Sequence, residues 1–375
     1  MQFFSCLTGL FVLLQSTTTL AANSPGCGKV LSFGGGTHTL TVNGKEREYI
    51  VKIPENYDPE HPYRLIFTFH ALGGSAEQIA NGGMGTQPYY GLVPFANETA
   101  IFISPNGQTA GSVGGFTGWA NTGGEDILFV DAMIEAIEQE LCINQDLRFT
   151  TGFSYGGAIS YAIACARPDK FRAVAVLSSG PISGCDGGKD PIAYYHQHGT
   201  RDQVLPITMG RQMRDTFVKN NGCTPLADEP MPRGDSPTTE EYEGCKEGYP
   251  VKYVVFEGDH TPAAAEPGST EPFGPPNTWE FFSRFDLDLR QHCLFSIKGL
   301  LHDEKYRTYR FNEESPQGDI GRKRKKIYEM LCGCCCPCIK PDPDSRKPFV
   351  ADAIIAIILP LRLTTVLRSW DFLCT

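Results

Sequence analysis

The sequence predicts an α/β protein with a mostly parallel central sheet flanked by helices. Three observations lead there. Between residues 37 and 285, short apolar runs alternate with segments of helical periodicity. Several of those runs, 64–69 and 100–103 among them, are nearly continuous in apolar residues, as strands covered on both faces are. At 148–164 a strand-like run passes through Gly152-Phe153-Ser154-Tyr155-Gly156 into a segment of small and apolar residues, which reads as strand, sharp turn and helix.

Each element follows from its own residues. Residues 37–42 and 48–53 alternate across the turn Asn43-Gly44 and read as a β-hairpin that Pro54 ends. The run 64–69 is a buried strand leading into His70-Ala71-Leu72-Gly73-Gly74, whose glycines let backbone approach a bound molecule. Residues 100–103 form the next strand, closed by the turn Ser104-Pro105-Asn106-Gly107. A Gly-rich loop then runs from 107 to 124, long enough that a function is expected of it. It carries Trp119, which reads either as a wall against an aromatic substrate or as core. Ile127, Val130, Ile134, Ile137 and Leu141 share one face of a helix over 126–141. A short strand at 148–151 precedes the Gly-x-Ser-x-Gly turn. Further strands are expected at 171–177, 191–198 and 251–256, with helices at 209–220 and 279–285.

Composition limits the partners. A net charge of −10 argues against nucleic acid or an anionic membrane surface. The charge is uneven: residues 286–375 carry 15 Lys and Arg against 12 Asp and Glu, while the first 285 carry 18 against 31. That asymmetry marks a boundary. Residues 1–22 read as a secretory signal, an apolar run over 3–14 followed by the small residues Ala21 and Ala22. The run is too short to span a bilayer, which takes about 20 residues. Cys27, Cys142, Cys165, Cys185, Cys223 and Cys245 are an even set, as expected of three disulfides in an exported chain. Their pairing is open, although Cys223 with Cys245 would staple the polar, Pro-rich stretch between them. Asn97-Glu98-Thr99 is a glycosylation sequon.

The chemistry gathers at the ends of strands. A serine on a strained turn presents its hydroxyl outward, and the following helix N-terminus offers free N–H groups to a developing oxyanion. Asp202 lies just past the strand at 191–198, and His260 lies in the loop after 251–256. Asp186, Asp190, Asp215 and Asp228 do not follow a strand so closely, and Asp259 adjoins the histidine and cannot readily turn to face it. His196 and His198, on the strand itself, read as structural. In parallel sheets active groups collect outside the strands' carboxyl ends, and Ser154, Asp202 and His260 all fall there. Their order, Ser, Asp, His, is the one used by α/β-hydrolases.

The loop Phe69-His70-Ala71-Leu72-Gly73-Gly74, the turn around Ser154, His198-Gly199-Thr200-Arg201-Asp202-Gln203-Val204-Leu205-Pro206 and Gly258-Asp259-His260-Thr261-Pro262 together resemble the secreted fungal feruloyl esterases of types C and D. These are related to polyhydroxybutyrate-depolymerase-like esterases and carbohydrate esterase family 1. The resemblance covers about residues 25–285. It implies an α/β-hydrolase fold and hydrolysis of ester links between hydroxycinnamic acids such as ferulic acid and plant cell-wall polysaccharide. It further implies no cofactor, a feruloylated polysaccharide or oligosaccharide as partner, and a secreted monomer whose catalytic domain meets neither nucleic acid nor membrane. In that reading Ser154 is the nucleophile, His260 the general base and Asp202 the acid that orients it. The backbone N–H groups of Leu72 and Tyr155 form the oxyanion hole, and Trp119 is a candidate substrate contact. One departure is His70-Ala71 where the family often has His-Gly, which puts the geometry of that loop in question. Two alternatives are an acetylxylan or short-chain polyester esterase on the same scaffold and a non-catalytic carbohydrate-binding relic.

The expected division is a signal at 1–22, a catalytic domain at 23–285 and an atypical tail at 286–375. The tail joins the basic run 322–326 to the cluster Cys332-Gly333-Cys334-Cys335-Cys336-Pro337-Cys338 and an apolar stretch too short for a bilayer. The cluster lacks the paired spacing of a zinc site. Residues 330–360 resemble the start of a small fungal proteolipid-type stress membrane protein, and the tail reads as a gene-model read-through.

Overall fold

The computed structural model describes residues 23–83 and 85–286. The expected signal at 1–22 and the cysteine cluster and basic run of the tail lie outside those residues. The described residues through Phe285 belong to one compact unit.

Nine strands form one sheet among the described residues, in the order β1-β2-β4-β3-β5-β6-β7-β9-β8. The hairpin β1 (Gly36–Val42) and β2 (Lys45–Lys52) turns at Asn43 and Gly44, both at positive φ (51° and 74°), as a two-residue turn requires. β2 runs antiparallel to β4 (Ala100–Pro105). From β4 the sheet is parallel through β3 (Tyr63–Phe69), β5 (Ile143–Phe153), β6 (Ala173–Leu177), β7 (Ala193–Gly199) and β9 (Val251–Phe256). An antiparallel edge strand, β8 (Thr238–Glu241), closes the far side.

Alternation along the strands sorts the core into two layers. Leu65, Phe67, Phe69, Val174, Val176, Tyr194, Tyr253 and Val255 face one layer, which the apolar residues of α3 (Glu125–Glu140), α4 (Tyr155–Ala166) and α5 (Ile207–Asn220) complete. Ile66, Phe102, Phe149, Ala175, Tyr195 and Val254 face the other, with Ile79 of α1 (Ala76–Asn81), Ala96 of α2 (Val93–Ala96), and Phe281 and Phe282 of α6 (Gly274–Ser283). This sandwich is the α/β-hydrolase arrangement that the motif order predicts.

Three expectations change. β5 is 11 residues long rather than a short run at 148–151. Its early residues Asn144, Gln145 and Asp146 are polar but stand between the buried Ile143 and Leu147; Asn144 bridges to Asn23 and the Gln145 side chain reaches Glu138. β8 forms inside the polar stretch between Cys223 and Cys245. The helix expected over 279–285 begins at Gly274, with Pro275 and Pro276 in its first turn, where a missing N–H costs nothing.

The disulfides join Cys27 to Cys142, Cys165 to Cys185 and Cys223 to Cys245. The first ties the start of the described chain to β5, where Ser24 also exchanges hydrogen bonds with Leu141 and Ile143. It closes a separation of 115 residues, against 20 and 22 for the others. If loop closure governs their contribution, the pair Cys27→Ser and Cys142→Ser should cost roughly 4–5 kcal/mol and Cys165→Ser with Cys185→Ser roughly 3 kcal/mol. Guanidinium unfolding of the two double variants measures this, and equal losses would show that local packing sets the values instead.

Candidate active site

The turn after β5 is built by contacts closer than any side chain allows. Ser154 has φ 56° and ψ −119°, outside the usual regions for a residue with a Cβ. A Cβ at Gly156 would stand 2.0 Å from the Phe69 carbonyl oxygen, and one at Gly152 would stand 2.4 Å from Gly156. The glycines therefore let β5, β3 and α4 meet at one point. The turn is held by Ser154 N–H donating to Leu177 O (3.0 Å) and by the Ser179 hydroxyl donating to Ser154 O (2.6 Å).

The structure brings Ser154, His260 and Asp202 into one chain. Ser154 Oγ is 2.9 Å from His260 Nε2, and His260 Nδ1 is 2.6 Å from Asp202 Oδ2. Because an ionised carboxylate only accepts, Nδ1 carries the hydrogen and Nε2 is left to accept from the serine. Asp202 Oδ1 accepts from Val204 N–H (2.9 Å) and Leu205 N–H (2.8 Å), the local turn an aspartate readily makes. The loops carrying Asp202 and His260 are locked together. Thr200 N–H donates to Phe256 O and Arg201 N–H to Gly258 O, and a Cβ at Gly199 would lie 2.4 Å from Gly258 O. Phe153 packs its ring 4.6 Å from the His260 ring. Asp259 points into solvent, its side chain 80% exposed.

The loop after β3 is braced from behind. Gly107 N–H donates to His70 Nε2 (2.9 Å), so His70 carries its hydrogen on Nδ1 and donates it to Ala71 O (2.7 Å). Burial lowers the His70 pKa from 6.5 to about 4, which keeps the ring neutral in that role. Gly73 N–H donates to Thr117 O, and the Thr117 hydroxyl donates to Gly74 O. Ala71 is not among the residues at positive φ, so an alanine fits where the family often has glycine. Among the described residues no acceptor pairs with the backbone N–H of Leu72 or Tyr155. Trp119, by contrast, is fully buried and donates its indole N–H to His70 O (2.8 Å), with its ring edge-on to Phe69. It is core that supports the loop, not a wall of the substrate pocket.

A cavity of about 260 Å³ opens beside this chain. Its lining includes Leu177, whose carbonyl holds Ser154 N–H, and Pro262 and Ala263, which follow His260. Tyr90, Pro272 and Thr278 line it further, and the Tyr90 hydroxyl sits between Phe69 O (2.6 Å) and Phe153 N–H (3.1 Å). Periodicity does not single these residues out, because strand β6, helix α6 and three loops meet here only in the folded chain. His198, which reads as structural from its place on the strand, sets Nε2 3.3 Å from Asp202 Oδ2.

Residues 41–261 match the esterase family model, from the first hairpin through His260. A feruloyl esterase D of Neurospora crassa is 48% identical over 288 residues, covering 74% of this chain and 97% of that protein. A feruloyl esterase C of Emericella nidulans is 47% identical over 267 residues, covering 71% of this chain and 93% of its own length. The chain belongs to the feruloyl esterase C/D family. It is a carboxylic ester hydrolase, and the alternative of a non-catalytic relic falls away. An acetyl xylan esterase from Aspergillus awamori superposes on this feruloyl esterase C/D chain with a TM-score of 0.47 at 14% identity, over 66% of this chain and 99% of that one.

In this esterase burial pushes the Asp202 carboxyl upward, but donation from His198, His260 and Leu205 N–H outweighs it and brings the pKa from 3.8 down to about 2. A folded value below the unfolded one gives stability that is present above pH 3.8 and lost as pH falls through about 2. The stability difference between wild type and Asp202→Asn should therefore shrink, by on the order of 2 kcal/mol, between about pH 4 and pH 2. Guanidinium midpoints across that range test it, and a pH-independent difference would refute it.

Proposed function

We propose that this esterase cleaves ester links between ferulic or related hydroxycinnamic acids and plant cell-wall polysaccharide, through an acyl-enzyme on Ser154. The observation that carries this reading is the unbroken Ser154–His260–Asp202 chain. His260 Nε2 takes the serine proton as Oγ attacks the ester carbonyl. Charge on the carbonyl oxygen is held by the N–H groups of Leu72 and Tyr155, each worth roughly 3 kcal/mol of barrier. The proton passes to the departing sugar hydroxyl, and the acyl group stays on Ser154. Water then gives its proton to His260 and attacks the acyl carbon, releasing the acid and restoring the serine. Asp202 holds the imidazole in the tautomer that both steps need.

The 48% and 47% identity to a feruloyl esterase D and a feruloyl esterase C favours the aromatic acyl group over an acetylxylan or short polyester. The catalytic unit is residues 23–285, and the tail at 286–375 is not needed for the reaction. Three disulfides and the exposed sequon Asn97 support an exported glycoprotein with a cleaved signal at 1–22.

Hydrolysis of methyl ferulate and of an acetyl ester by the full chain, by residues 23–285, and by Ser154→Ala tests these points together. Ferulate release should exceed acetate release and should fall by about 10⁴-fold or more in Ser154→Ala. Asp202→Asn should lower kcat by roughly 10⁴-fold with the fold intact. Acetate release alone would reassign the substrate, and near-normal turnover by Asp202→Asn would remove that residue from the triad.

A further inference from the structure

Behind Asp202 a line of polar side chains runs through the interior of the sheet, and the triad as described does not use it. Tyr194, His196 and His198 alternate along β7 on one face, all three fully buried. Tyr194 Oη is 3.0 Å from His196 Nδ1, and His196 Nε2 is 3.0 Å from His198 Nδ1. His198 Nε2 is 2.8 Å from Leu205 O and 3.3 Å from Asp202 Oδ2.

The direction of this line follows from its end. A carbonyl only accepts, so His198 Nε2 carries a hydrogen facing Leu205 O and Asp202 Oδ2. Burial, with His198 and Arg214 adding to it, holds His196 neutral, its pKa well below the ordinary 6.5. In the neutral line His196 Nε2–H donates to His198 Nδ1, and the Tyr194 hydroxyl donates to His196 Nδ1. The line is sealed from the far side. A Cβ on Gly210 of α5 would stand 2.2 Å from His198 Nδ1 and 2.8 Å from His196 Nε2, so the helix backbone lies against their junction. The Leu205 peptide closes a ring, since its N–H donates to Asp202 Oδ1 while its carbonyl accepts from His198.

We infer that His198 is a positioning residue of the reaction: its Nε2–H clamps the 202–205 turn and shares Asp202 Oδ2 with His260, fixing the imidazole and moderating its basicity. This rests on Ser154, His260 and Asp202 being the catalytic set. The oxygen that receives His260 Nδ1–H is the one His198 approaches, so the two donors divide its charge. Losing the His198 donor leaves a more negative oxygen facing His260, which favours the imidazolium and raises the pH at which the base is freed. Other groups facing the line are Tyr253 of β9, whose ring lies 5.6 Å from that of His196, and Arg214 of α5, 4.8 Å over the Tyr253 ring. Arg214 is itself paired with Glu229 and Asp215. Arg201 turns outward to Glu257.

The test compares His198→Gln, which keeps an N–H donor near the Nε2 position, with His198→Met, which has similar bulk and none. In the full chain with methyl ferulate, His198→Met should lower kcat by about tenfold or more, change KM by less than about twofold, and move the acid limb of kcat/KM upward by about half a pH unit. His198→Gln should stay within about threefold of wild type with the limb in place. Equal kcat and equal pH profiles for the two variants would overturn the inference. Nitrogen-15 imidazole spectra of the wild-type protein give a second reading independent of how the variants fold. His198 should be the Nε2–H tautomer; an Nδ1–H tautomer would also overturn it. A fully active Asp202→Asn would instead bring down the triad itself, and so separates the two failures.

Discussion

The site depends on one steric constraint: β3, β5 and α4 converge within backbone contact at Gly156. With Phe69 O where a Cβ would be, the chain after Ser154 has no freedom except to enter the helix. Ser154 accordingly sits at φ 56° and is held there by Leu177 O at the end of β6 and by Ser179 two residues beyond. The strain is local, but α4 is buried along almost its whole length, and that burial outweighs a cost of order 1–3 kcal/mol for one unfavourable residue. In the proposed mechanism a hydroxyl so fixed needs little rearrangement before attack.

Around that point each group of the proposed site is held by a neighbour that is itself held. His70 is pinned by Gly107 and Trp119, and pins the loop of Leu72 through Ala71. The Asp202 and His260 loops are joined to each other by backbone bonds, so the carboxylate and imidazole move as one piece. The long Gly-rich segment at 107–124 thus serves mainly as scaffold. Its central side chain, Trp119, points inward because the aromatic layer beneath β3 has room for an indole and a carbonyl at its polar end.

Much of this was legible in the sequence. The triad residues each follow an apolar strand by a few positions, and strand ends in a parallel sheet share one edge, so order along the chain maps to position in space. The hairpin was legible because Asn43-Gly44 admits few other conformations. What escaped lacks such local physics. β8 reads Thr238-Thr239-Glu240-Glu241, a polar edge strand that exists because β9 offers it a ladder. The start of β5 pairs with Asn23 and Ser24, which are far away in sequence. Trp119 and His198 looked ambiguous or structural because burial and the direction of a hydrogen bond are set by tertiary contact, which spacing does not encode.

The cysteines have a consequence of a different kind. Within residues 23–285 the pairing joins the first to the second, the third to the fourth and the fifth to the sixth. A chain delivered amino end first into an oxidising compartment thus meets each correct partner as the next thiol to arrive. Oxidation in the order of the chain would give these bridges without reshuffling.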